Sequence, residues 1–219
     1  TLSGGSNLVT GYAQGGATAA HGITLDRATI SAGAGNVVLR GQGSGSNKLG
    51  VYFAGNNTMT ASNPGAVVQT TTGDITIDAK GGATVGMVME FANTHITTAG
   101  GNIDIESQGT IELKRLTGNL GANPEITAGG AGTVRIETTA GGISLNSSFF
   151  NVHDGNLDII SAAGVSHFWG GRYRSTGAGD ITVTAAGVAS LGNNPNANEG
   201  AIFSSGTGSV TVSASEIRL

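Results

Sequence analysis

One short phrase constrains the fold more than anything else in this chain: a glycine followed by apolar residues at alternate positions. It recurs as "GNVVL" from 35, "GDITI" from 73, "GNIDI" from 101, "GTVRI" from 132, "GNLDI" from 155, "GDITV" from 179 and "GSVTV" from 208. Alternation of apolar and polar residues describes a strand with one buried face. The leading glycine is expected to supply the positive φ of a sharp turn. Two further apolar pieces precede most of these phrases: Ile23/Leu25 then Ile30, Met89/Phe91 then Ile96, and Ile143/Leu145 then Phe150. Phe168 and Tyr173 repeat the same five-residue step. The stretches 23–36, 89–102 and 143–156 therefore share a skeleton while differing in most letters.

Each unit reads as three short strands, and successive units start from the low twenties to the high thirties of residues apart. A sandwich of hairpins would need Asn-Gly or Asp-Gly turns between neighbouring strands. Asp154-Gly155 is the only such pair, and a coil turn accommodates it equally well. Repetition of a whole three-strand unit favours a parallel β-helix, in which each unit is one coil of a solenoid. Stacked coils predict four inward columns. These are Ile23, Met89, Ile143; then Leu25, Phe91, Leu145, Phe168; then Ile30, Ile96, Phe150, Tyr173, Phe203; then Val37, Ile75, Ile103, Val134, Leu157, Ile181, Val210. Roughly seven coils at about 4.8 Å give a rod of about 34 Å.

Composition agrees with an ordered all-β chain. Of 219 residues 39 are glycine, yet there are only 3 prolines and no G-X-Y period, which excludes a collagen-like chain. Charged residues make up 11%, and the net charge of −4 draws the protein neither to nucleic acid nor to anionic lipid. Absence of cysteine excludes a disulfide framework and thiolate metal sites. No apolar run approaches the roughly 20 residues of a membrane-spanning helix. The chain opens and stops in mid-pattern, so residues 1–219 are expected to be a single β-helix segment of a longer chain. Polar, turn-rich inserts at 41–48, 55–67, 116–125 and 192–200 read as surface excursions, where solenoids often carry function.

Two places carry candidate chemistry. On the solvent face, the order Val38, Thr76, Asp104, Arg135, Asp158, Thr182, Thr211 sets two carboxylates on either side of an arginine. Asp104 and Asp158 could form an acid/base pair in a polysaccharide-cleaving groove. The plainer alternative has Arg135 bridging both in a solvated ladder, each exposed pair contributing about 0–1 kcal/mol. The second place is "VSHFWGGRYRS", 165–175, with the only tryptophan. There Trp169 would be a stacking platform for a glycan, with Arg172 and Arg174 as polar grips. His21, His95 and His153 fall on separate coils and are expected in turns or on the surface rather than on a metal. Asn56-Asn57-Thr58 and Asn146-Ser147-Ser148 fit the glycosylation triplet, a pattern common by chance in so polar a chain.

The units "GDITIDAKGG", "GNIDIESQGTIEL", "GTVRIETTAGGISL" and "GNLDIISAAG" resemble the repeats of filamentous-haemagglutinin-like exoproteins over about 22–219. That resemblance implies a right-handed parallel β-helix, secreted or held on the surface of a Gram-negative bacterium. It also implies export through the outer-membrane transporter of a two-partner secretion system. The expected function is attachment, as the stalk or binding segment of an adhesin, to a host or bacterial cell-surface receptor, a glycan being one candidate. No enzyme activity, cofactor, nucleic acid or membrane span is expected. A polysaccharide lyase or glycosidase and a pure spacer are the rival readings.

Overall fold

The computed structural model describes residues 1–12, 20–45, 48–54, 65–81, 84–90, 93–114, 123–168, 171–192 and 202–219. Among them there are 24 strands and no helix, and every strand pairing is parallel. The chain visits three sheets in strict rotation, which is the topology of a parallel β-helix with three strands per coil.

The first sheet stacks Leu2–Gly4, Thr29–Ala32, Val67–Thr70, His95–Thr98, Glu125–Ala128, Phe149–Val152, Arg172–Ser175 and Ile202–Ser204. The second stacks Asn7–Tyr12, Val37–Gln42, Ile75–Lys80, Ile103–Ser107, Val134–Thr138, Leu157–Ser161, Ile181–Ala185 and Val210–Ser213. The third stacks Ile23–Asp26, Val51–Ala54, Val85–Glu90, Thr110–Lys114, Ile143–Asn146, Val165–Phe168, Val188–Ser190 and Glu216–Arg218. Eight strands per sheet make eight coils, one more than the seven glycine phrases suggest. The extra coil is the first, where Asn7 stands in the register position that Val37 and Ile75 fill in the next two. Its polar side chain hides the pattern, and its amide donates instead to the Ser31 carbonyl at 3.1 Å.

Alternate residues of each strand turn inward and build one continuous apolar core. The column Val37, Ile75, Ile103, Val134, Leu157, Ile181 runs through the second sheet as expected, and Val210 continues its register on the last coil but is 41% exposed there. So does Ile30, Ile96, Phe150, Tyr173, Phe203 in the first, with Val68 and Ile126 completing it. Its last three members form a ring stack: Tyr173 lies 5.3 Å from Phe150 and 4.6 Å from Phe203, the latter pair only 7° from parallel.

The third sheet corrects two assignments. Met89 pairs with Phe53 and so joins the Leu25 column, while Met87 takes the place beside Val51. Phe168 pairs with Asn146, an outward register, and His167 is the residue beside Leu145. An extra residue between His167 and Tyr173 breaks the five-residue step, and a shift of one residue exchanges the two faces of a strand. Phe91 lies outside the described residues.

The glycines of the repeat have a different cause from the one expected. None of the seven has a positive φ; among the described glycines only Gly4, Gly45 and Gly130 do. Space is the constraint. A Cβ on Gly73, Gly101, Gly132, Gly155, Gly179 or Gly208 would overlap the carbonyl of the equivalent glycine one coil earlier. The coils touch backbone to backbone at this corner.

The residue after each glycine welds the same corner. Asn36 Oδ1 accepts a hydrogen bond from Asp74 N at 2.9 Å, Asp74 Oδ1 from Asn102 N at 2.8 Å, and Asn102 Oδ1 from Thr133 N at 3.0 Å. The ladder resumes with Asn156 to Asp180 N at 3.0 Å and Asp180 to Ser209 N at 2.7 Å. The Ser209 hydroxyl donates to the same Asp180 oxygen at 2.9 Å, and the two donations, backbone first and hydroxyl second, hold the Asp180 carboxyl below its ordinary range. Asparagine and aspartate serve alike because both offer an acceptor oxygen at this reach. Asn102→Asp should therefore melt as the wild type does, whereas Asn102→Ala should lose about 1 kcal/mol. Thermal denaturation followed by circular dichroism checks this, and an unchanged Tm in the alanine variant would remove the ladder's energetic role.

Candidate functional site

Parallel register brings outward residues of distant sequence into rows on the first sheet. Glu125, Phe149 and Arg172 form one row, and Thr127, Asn151 and Arg174 the next. A shallow groove of about 400 Å³ lies over these residues, with His153 and Thr176 at its edge. Arg172 and Arg174 are exposed and point from the same face of one strand. The Arg172 guanidinium sits 5.3 Å above the Phe149 ring, a cation–π contact that steadies its plane. Among the described residues neither arginine has a carboxylate partner. Arg40 likewise has none, whereas Arg27 pairs with Asp26, Arg135 with Asp104 and Glu137, and Arg218 with Glu216.

The opposite end of the groove is satisfied internally. Glu125 accepts hydrogen bonds from Thr127 Oγ1 at 2.7 Å and Asn151 Nδ2 at 2.9 Å, and His95 Nδ1 lies 3.7 Å from its other oxygen. His153 Nδ1 sits 2.6 Å from Thr176 Oγ1. The groove thus has a quenched acidic end and an unquenched basic end.

Arg172 and Arg174 are the members of the sequence-based site that the structure brings together; Trp169 lies outside the described residues. Glu125, Phe149, Asn151 and His153 were not grouped with them from sequence. They are about 20 to 50 residues away, and only the register makes them neighbours. Their signal was present all the same: each row residue flanks an inward column residue, Ile126, Phe150 or Tyr173.

The second candidate resolves differently. Asp104, Arg135 and Asp158 do occupy one outward column in consecutive coils. Arg135, however, spends its two arms on Asp104, at 3.1 Å, and on Glu137 in its own strand. It makes no ion pair with Asp158 among the described residues, so the expected double bridge does not form. Asp104 and Asp158 stand two coils apart, about 9.6 Å along the stack.

Other polar groups are accounted for by their neighbours. On the third sheet Tyr52 donates to Glu90 at 2.8 Å, and Lys114 reaches Glu90 at 2.8 Å and Glu112 at 3.1 Å. Burial, then the Glu90 carboxylate, pushes the Tyr52 phenol up to about 12. His21 Nδ1 accepts a hydrogen bond from Leu49 N at 3.0 Å; burial, then the Lys48 charge, lowers its pKa. The Asn146 triplet has its Ser148 hydroxyl inside, donating to the Leu113 carbonyl at 3.1 Å. Asn56, Asn57 and Thr58 lie outside the described residues, as do most of the inserts at 55–67, 116–125 and 192–200. Among the described residues no three His, Asp or Glu side chains cluster so as to hold a metal ion, and no helix is long and apolar enough to cross a membrane.

One inward position is anomalous. His167 is 1% exposed, in a column otherwise filled by Leu25, Phe53, Met89, Leu113 and Leu145. Its Nδ1 lies 3.0 Å from the Tyr173 hydroxyl, and its Nε2 has no hydrogen-bond partner among the described residues. Burial pulls its pKa down to about 4 and pushes the Tyr173 phenol up.

Comparisons with protein-family models, with curated proteins and with solved structures return no match.

Proposed function

We propose that this chain is a rigid display segment of a secreted bacterial surface adhesin, which attaches to host or neighbouring cells without catalysing a reaction. The repeat's resemblance to filamentous-haemagglutinin-like exoproteins supports export by a two-partner system and a place outside a Gram-negative cell. The observation that carries the binding role is the exposed Arg172–Arg174 pair on the side of a stiff rod, without a carboxylate partner among the described residues. Rigidity matters because a preorganised surface loses little conformational freedom on binding. Many copies on one cell would turn weak single contacts into firm attachment.

Beads coated with the protein should bind epithelial or bacterial cells, and Arg172→Ala/Arg174→Ala should cut capture by about tenfold, the loss of one charged hydrogen-bonded contact. Wild-type capture no better than that of an inert coat would leave the chain a spacer. Release of reducing ends from a polysaccharide panel, lost in Asp104→Ala, would make it an enzyme instead.

A further inference from the structure

We infer that the groove over Phe149, Asn151, Arg172 and Arg174 binds an acidic saccharide, the anionic group seated on the two guanidiniums. The inference rests on the attachment reading and gives it a ligand class. Arg172 and Arg174 are two residues apart on one face, so their Cα atoms stand about 7 Å apart, and their charges have no counter-ion among the described residues. Every carboxylate near the groove is turned to another use: Glu125 is held by Thr127 and Asn151, and Asp154 stands 3.8 Å from His153. The basic end therefore offers two exposed guanidiniums to an external anion.

The form of the site narrows the ligand. Guanidinium forks match planar or tetrahedral oxyanions through paired N–H donors, and Phe149 keeps the Arg172 fork flat and presented. Two cations on a chain of net charge −4 make too small a field for nucleic acid or an anionic membrane. Beside them lie neutral hydrogen-bonding groups, Thr127, Asn151 and Thr176, in an open groove about 400 Å³ in volume. That mixture, one anion seat followed by hydroxyl-matching amide and alcohol groups, suits a sugar bearing an acid.

The test is titration of the whole chain with polygalacturonate, its carboxyl-reduced form, dextran sulfate and dextran. Binding to at least one acidic polymer is expected, weakened at least tenfold by Arg172→Gln/Arg174→Gln and falling with added salt. The carboxylated and sulfated arms identify which acid the seat prefers. Arg135→Gln, remote on the second sheet, should bind as the wild type does. Equal binding to the acidic and neutral polymers would overturn the charge assignment and leave attachment standing. Acidic binding that survives the double variant would move the site elsewhere. No binding to any polymer, with no capture of cells, would remove both readings.

Discussion

Gly101→Ala should destabilise the rod by about 3 kcal/mol or more, while Gly100→Ala, one residue earlier, should leave it within about 0.5 kcal/mol of the wild type. A Cβ on Gly101 would overlap the Gly73 carbonyl of the coil before it, backbone that has nowhere to go. The Gly101 N–H is also fixed, donating to the buried Thr98 hydroxyl at 2.9 Å. A Cβ on Gly100 meets nothing nearer than the Thr72 methyl at 3.8 Å. Loss of freedom in the unfolded chain could even make that variant slightly more stable. Urea denaturation of both variants decides the matter. Similar midpoints would show that coil contact at this corner is looser than described.

The second large effect is acid sensitivity centred on His167. An unfolded histidine takes up a proton as pH falls through 6.5, whereas the buried one resists until about 4. Across that window protons bind the unfolded chain preferentially, so stability present above pH 6.5 is progressively lost on acidification. The full loss amounts to about 3 kcal/mol. Tyr173 is the one titratable group in contact with the imidazole among the described residues, and no carboxylate lines the core around it to stabilise the charge. His167→Leu alone would orphan the Tyr173 hydroxyl, so the informative variant is His167→Leu/Tyr173→Phe. Replacing both partners with apolar groups of similar shape should cost little at pH 7. Its stability should stay flat from pH 6.5 to 5, where the wild type should already have lost about 2 kcal/mol. Parallel curves for the two proteins would take the acid response away from this pair.

The second-sheet column was legible in the sequence because every coil after the first repeats one undisturbed phrase, from Val37 to Val210. The first-sheet column from Ile30 to Phe203 was legible in part, since Val68 and Ile126 lie outside any obvious phrase. The third sheet was read less well because connections to it vary in length, and Met89 and Phe168 slipped by one strand position or column as a result. His167 was hidden for a second reason: a polar residue in a core column leaves no mark in an apolar pattern. The repeat glycines were found for the wrong cause, since letters reveal that a side chain is absent but not whether dihedral angle or space forbids it. Of the site, the arginines stood out because they are crowded into one strand. Glu125, Phe149 and Asn151 did not, because adjacency between coils is a property of register.

Hydrogen bonds between successive coils point along the rod, so a pull on the two chain ends peels the outermost turn rather than shearing all turns at once. Successive turns hold between 22 and 38 residues. Each one that unwinds would release roughly 75–135 Å of extended chain while the turns behind it stay wound. In the proposed attachment role, the rod would lengthen in discrete steps of unequal size, shedding force at every step, and a cell held by it in flowing liquid would be braked gradually instead of torn loose.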